Sequence, residues 1–300
     1  MLPLILSILT SVSLFIIFRF FPKFQINTFQ AITVNYFVCV ITGILFMDKS
    51  TEIAFHPQNW WFMAVFLGAT FISTFYLMGI ATQKVGVTIA TLANKMSMII
   101  PVLFNLLIFK STTDFDIFNF FGLVAAVVAI ILSNYSPKAQ TNDSNVIGES
   151  RNKILLPISI FFLGGLIDTS LSYSNLKLLQ KGEEVVFPIA LFAMASLVGL
   201  LIVIYNVVIK KEPFEAKSIV AGIILGIPNY FSIYFLLMAL TAFEGNGAFV
   251  LPVMSIGIIV VASMVSLLVL RDKLNKINLL GIAVAIVAIL LLSYQKIGFN

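Results

Sequence analysis

The sequence predicts an all-α membrane protein with ten transmembrane helices, arranged as two inverted five-helix repeats (5+5). Three observations carry this. The 300 residues are 60% apolar and 10% charged, with a mean hydropathy of +1.07. Soluble domains carry about 25% charged residues. The 31 Lys, Arg, Asp and Glu of this chain are too few to clothe a soluble fold of its size. Apolar runs of roughly 20 residues, long enough to cross a bilayer, follow one another along the chain. The two halves also resemble each other. This composition excludes a cytosolic enzyme, a nucleic-acid-binding protein and a disordered chain.

The runs cover 2–18, 28–46, 60–82, 87–109 and 117–134 in the first half, and 154–178, 185–209, 219–243, 247–270 and 277–294 in the second. They are continuous rather than alternating over about 10 residues, so they are not strands of an outer-membrane barrel. In lipid, backbone polar groups must pair within the segment, which makes each run a helix. The first run has no basic segment before it, and Arg19-Phe20-Phe21-Pro22 follows it instead of small residues. It therefore reads as a retained span and not a secretory signal. Only Gln83-Lys84-Val85-Gly86 separates the third run from the fourth. Positions 136–153, rich in Ser, Asn and charge, form a polar linker. The linker divides the chain into repeats at 1–135 and 154–300.

Positions 119–135 align without gaps to 278–294, with Asn119 on Asn278, Gly122 on Gly281 and Tyr135 on Tyr294. A similar register pairs Gly68 with Gly226, Tyr76 with Tyr234, Met96 with Met254 and Ser97 with Ser255. An odd number of spans per repeat forces the second half to enter the membrane from the opposite side. Inverted repeats of this kind occur in secondary transporters, which alternate access around a site near the midplane.

Two five-helix halves, each closing on a short polar turn and a Gly-containing apolar helix, resemble the EamA family of the drug/metabolite transporter superfamily. The resemblance covers nearly the whole chain and rests on architecture. Many members carry Gly-Glu after the fourth and ninth helices, where this chain has Phe109-Lys110-Ser111 and Leu270-Arg271-Asp272. The resemblance implies a central cavity lined mainly by helices 1, 3, 4, 6, 8 and 9. It also implies export of amino acids, related metabolites or drugs, with both termini in the cytoplasm. The charge distribution points the other way. Loops after odd-numbered spans, with the linker, hold 12 Lys and Arg, and the opposite side holds five. Basic loops favour the cytoplasm, so this bias puts the termini outside.

Two charged residues fall deep inside spans: Lys95 and Asp168. An ionised group at the bilayer centre costs at least about 2.5–3.5 kcal/mol, so such residues face a cavity or a partner. Helical spacing puts Thr88, Thr91, Lys95, Val102 and Asn105 on one face of span 4, with Asn94 beside Lys95. It puts Gly164, Asp168, Ser172 and Asn175 on one face of span 6. Each charge thus lies on a polar stripe, which suggests a wetted interior. At about 1.5 Å per residue from the start of each run, their heights differ by roughly 9 Å. One reading is a structural ion pair, or a Lys95 that snorkels to its near interface. The other is a substrate site, with Lys95 on a carboxylate or other anionic group and Asp168 on an ammonium or a coupling proton.

Weaker candidates for the same cavity are Asn229, Tyr230 and Tyr234 in span 8, beside Pro228 and Ser232. Tyr76 and Ser255 enter through the repeat register. Each of these polar groups has an alternative role in bonding helix to helix. Pro228 and Pro101 are expected to kink their helices. Trp60 and Trp61 read as interfacial anchors, and the 29 Phe as lipid-facing or packing bulk.

The lone His56 lies in a loop and the lone Cys39 has no partner, so neither a metal site nor a disulfide is expected. No cofactor is implied. The function expected is a secondary transporter that exports small polar metabolites, amino acids or related zwitterionic or anionic compounds, across a bacterial inner membrane. Its partners are that substrate and membrane lipid, with no nucleic acid, and it acts as a monomer or homodimer. The alternatives are a membrane-embedded enzyme or a channel. The chain shows no nucleophile with a base, no second deep carboxylate and no filter motif.

Overall fold

The structure is a computed structural model that describes residues 2–46, 60–97, 100–101, 117–133, 144–179, 183–242, 247–271 and 275–297. These residues form ten helices and no strand. They are α1 (Leu2–Phe20), α2 (Thr28–Phe46), α3 (Trp61–Lys84), α4 (Val87–Met96), α5 (Ile117–Ser133), α6 (Ser144–Lys177), α7 (Glu183–Val208), α8 (Ala216–Ala242), α9 (Gly247–Leu268) and α10 (Lys276–Ile297). Five stretches are long and apolar enough to cross a membrane: Leu2–Phe20, Thr28–Phe46, Trp61–Lys84, Val186–Val208 and Ala216–Leu236. Leu155–Leu171, Val253–Leu268 and Lys276–Leu291 are shorter apolar stretches.

The helix ends follow local chemistry. Asn27 caps α2, its Oδ1 accepting from Phe29 N and Gln30 N (both 3.1 Å). Asn275 and Asn278 cap α10 reciprocally: each side-chain oxygen accepts from the other's backbone N–H (2.8 and 3.0 Å). Between α3 and α4 the chain turns on Gly86, whose φ of 103° suits only glycine. Val85 N and Gly86 N both donate to Ala81 O there (2.7 and 3.3 Å).

Neighbouring helices close a ring in the order α1, α8, α2, α7, α3, α6, α4, α9 and back to α1. α5 and α10 pack on each other and join the ring through α4 and α9. Exchanging each helix for the one five places along returns this ring to itself. The pair α1–α8 becomes α6–α3, α2–α8 becomes α7–α3, α1–α9 becomes α6–α4, and α9–α10 becomes α4–α5. The pairs α2–α7, α4–α9 and α5–α10 map onto themselves.

Glycines set the closest approaches, as small residues do where helices pack in lipid. A Cβ on Gly68 of α3 would stand 2.7 Å from Met194 Cβ and 2.8 Å from Ala195 N of α7. A Cβ on Gly226 of α8 would stand 2.6 Å from Val38 Cβ and 2.9 Å from Asn35 O of α2. The two positions paired by the sequence register thus do the same work at related interfaces.

One end of the bundle gathers basic loops. Arg19 Nη1 donates to Gln83 O (3.0 Å), and Gln83 Nε2 donates to Thr28 Oγ1 (3.0 Å). Gln30 Nε2 donates to Pro213 O (2.9 Å), and its Oε1 accepts from Glu215 N (3.0 Å). These bonds bring the segments after α1, α3 and α7, with Arg19, Lys23, Lys84, Lys210 and Lys211, to a common end. It is called the basic end below.

Three expectations change. Trp60 is not an interfacial anchor. It is 2% exposed, stacked on Trp61 (5.2 Å) and edge-on to Phe187 of α7 (5.4 Å). The α3–α7 contact covers it, and no local pattern encodes that contact. α6 begins at Ser144, so the second part of the expected linker is helical, and 136–143 lie outside the described residues. Glu149, Arg151 and Lys153 are good helix formers that carry the apolar span onward into polar sequence. α4 ends at Met96, well before the end of the run over 87–109. Val102, Asn105 and His56 lie outside the described residues, as do the side chains of Asn119, Ser172 and Asn175.

Candidate functional site

The candidate site forms where α4 stops. Pro101 has no N–H for the carbonyl of Ser97, four residues earlier, and its ring crowds that oxygen. Ser97 O instead accepts from Ile100 N (3.0 Å), three residues on, and the chain turns at Ser97. The turn frees Ser97 Oγ, which donates to Asn94 O (2.5 Å) and to Asp168 Oδ2 of α6 (3.3 Å). A single hydroxyl proton serves two oxygens here. The carboxylate is therefore only weakly satisfied by its one hydrogen bond.

α6 comes this close because of Gly164 and Gly165. A Cβ on Gly164, one turn before Asp168, would stand 2.9 Å from Ser97 Oγ and 3.8 Å from Asn94 Nδ2. A Cβ on Gly165 would collide with Ile100. The glycines let the two polar stripes face each other.

Lys95 and Asp168 sit within each other's electrostatic field. Among the described residues no contact ion pair joins them, and Lys95 Nζ has no hydrogen-bond partner. Protein surrounds both side chains, yet both keep accessible surface, as does Asn94. The separation expected from counting residues is too large for Asp168. Ser97, two residues past Lys95, touches the carboxylate, so Asp168 stands nearer the level of Lys95 than counting from residue 154 suggests.

The stripe on α4 is not wetted along its length. Thr88 and Thr91 are buried, Thr91 Oγ1 donates to Val87 O (2.7 Å), and Thr88 Oγ1 is buried without a partner. Only the end of the stripe at Asn94 and Lys95 is open.

The other candidates stand apart from this pair. Asn229 is buried between α8 and α2. Its Nδ2 donates to Asn35 Oδ1 (3.1 Å) and to Cys39 Sγ (3.4 Å). Tyr230 and Tyr234 stack on each other (6.1 Å) and pack on Phe46 at one end of α2. Tyr76 lies edge-on to Phe29 at the other end of α2 (5.5 Å). Ser255 is buried in α9 beside Met254, whose Sδ accepts from Ser7 Oγ of α1 (3.3 Å). Sequence reasoning did not place Ser97 in the site. The signal was there, because a proline four residues later marks the residue whose carbonyl is released.

Asn229 has a structural consequence that can be measured. Asn229→Ala leaves Asn35 Oδ1 with only the long contact from the Cys39 thiol (4.0 Å), beside an Nδ2 that already lacks a partner among the described residues. A buried polar group left unpaired costs about 1–3 kcal/mol. The variant is expected to melt at lower temperature in detergent while binding substrate as tightly as the parent. Unchanged melting with weakened binding would instead put Asn229 in the site.

No protein-family model matches the chain. It is 28% identical over 301 residues to an uncharacterized protein of Haemophilus influenzae, covering 97% of each chain. A solved crystal structure superposes with a TM-score of 0.57 at 12% identity, covering 97% of this chain and 98% of that one. That likeness concerns the fold.

Proposed function

We propose that the protein is a secondary transporter of the EamA kind in the drug/metabolite transporter superfamily, built as two inverted five-helix repeats around a central cavity. It exports small polar metabolites, amino acids or related zwitterionic compounds, across a bacterial inner membrane by alternating access. The observation that carries this is the Lys95–Asp168 arrangement: opposite charges inside a ring of helices, accessible, mutually attracting and not in contact. Two buried charges held short of contact leave each incompletely neutralised, and a zwitterion between them would neutralise both. The exchange relation among helix contacts supports the inverted repeat, since a two-fold axis in the membrane plane generates such pairs.

The test is exchange in proteoliposomes. Vesicles loaded with a mixture of unlabelled amino acids are expected to accumulate a labelled amino acid faster than empty ones, with saturation. Flux that rises linearly with concentration and ignores the internal load would indicate a channel. Chemical conversion of the labelled compound would indicate an enzyme.

A further inference from the structure

The exchange relation among helices leaves a few contacts without counterparts. α1 packs on α3 and on α4, but among the described residues α6 makes no comparable contact with α8 or α9. The α1–α3 contacts lie at the basic end. Phe18 of α1 is fully buried there, edge-on to Phe75 of α3 (5.4 Å) and to Phe21 (5.4 Å), and its ring lies against Gly79. Arg19, the next residue, donates to Gln83 O at the end of α3 (3.0 Å). Deeper along α4 from this end, Val87, Thr88 and Thr91 are buried and Ile89 is half-buried, and among the polar side chains accessible surface begins at Asn94 and Lys95. Among the described residues, the polar face of α4 is thus covered on the side of the basic end.

We propose that Phe18 on Phe75 and Gly79, latched by Arg19 on Gln83, is a gate at the basic end. Its counterpart closes the opposite end in a second state, between α6 and α8. The register that pairs Ser97 with Ser255 carries Phe18 to Leu176, Arg19 to Lys177, Phe75 to Ile233 and Gln83 to Thr241. The order of apolar then basic residue is kept, while Gly79 is carried to Leu237. A large apolar residue precedes a basic one at the end of α1 and of α6, and Phe75 and Ile233, both apolar, occupy matching places two helices on. In a chain of two inverted halves, the conformation of one half is available to the other. The second state follows by exchanging the α1–α3 contact for the α6–α8 contact. This rests on the transporter reading of the same site and adds which end is closed, by what, and what closes the other.

The experiment uses cysteine pairs in a Cys39→Ser background, in native membranes. Arg19→Cys with Gln83→Cys reports the basic end, and Lys177→Cys with Thr241→Cys reports the other. The first pair is expected to cross-link in the majority of molecules, and with all four cysteines present a molecule is expected to carry one cross-link but not both. Molecules holding both cross-links at once would overturn the proposal. Single cysteines give a second measurement that needs no pair. Asn94→Cys is expected to react with a membrane-impermeant maleimide and Thr88→Cys to react at least several-fold more slowly. Equal labelling of the two would also overturn it. Both readouts are independent of transport, so a failure to exchange amino acids would sink the transporter reading and leave the gate standing on its own result.

Discussion

Lys95→Ala and Asp168→Asn are each expected to abolish exchange while the protein still inserts and reaches normal abundance in the membrane. Each substitution removes one of the two charges within the helix ring and leaves the other unopposed, at a cost of about 3–5 kcal/mol. If that cost falls on the bound state, affinity drops by roughly two to four orders of magnitude. The double variant Lys95→Met with Asp168→Asn separates the two readings of the pair. In a structural ion pair, the single variants lose stability and the double variant regains both stability and exchange. In a substrate site, the double variant melts like the parent and stays inactive, because nothing remains to hold a carboxylate or an ammonium. Melting temperature and exchange rate, measured side by side on the three variants, decide between them. Wild-type exchange by both single variants would remove Lys95 and Asp168 from the mechanism.

Gly68→Ala and Gly226→Ala are each expected to destabilise the protein by about 1–3 kcal/mol, the usual cost of forcing extra volume into a packed interface. The reason is what the added Cβ would meet. On Gly68 one obstacle is the backbone nitrogen of Ala195, and on Gly226 it is the backbone oxygen of Asn35. Backbone cannot rotate out of the way, so the helices must separate. The interfaces α3–α7 and α8–α2 share no helix, and the double variant is expected to show nearly additive loss. Gly79→Ala is the control. Its Cβ would meet only side-chain atoms, Thr28 Cγ2 and the Phe18 ring, at 3.0–3.1 Å. A smaller loss is expected there. Thermal melting in a mild detergent measures all three, and a Gly79 variant as damaged as the other two would contradict the packing argument.

Much of this was legible in the sequence, and the reasons are local. A helix in lipid must bond its own backbone and present apolar side chains on all faces, so composition alone marks where it begins and ends. α2 and α10 start at Asn27 and Asn275 because those side chains cap a helix wherever it packs. The sharp turn after α3 needs a positive φ, and Gly86 supplies it. Even the break in α4 is written locally, as Pro101 four residues beyond Ser97. Asp168 and Lys95 stood out because charge inside an apolar run is costly whichever way the run faces.

What the sequence left open depends on which helix lies beside which. Trp60 carries the composition of an interfacial residue, but α7 covers it, and no spacing within α3 records that neighbour. Thr88 and Thr91 share a face with Lys95, yet they are dry because other helices seal the basic end above them. Asn229 looked like a cavity residue by its depth and instead bonds α8 to α2. The sequence by itself determined that this chain carries helices long and apolar enough to cross a membrane, roughly where they lie and which two charges must be accounted for. Those are properties of single segments and of their exchange between water and hydrocarbon. Only the tertiary structure decided that Asp168 meets Ser97 and that Lys95 stops short of Asp168. Each of these is a contact between segments far apart in the chain, set by how glycines let the helices approach.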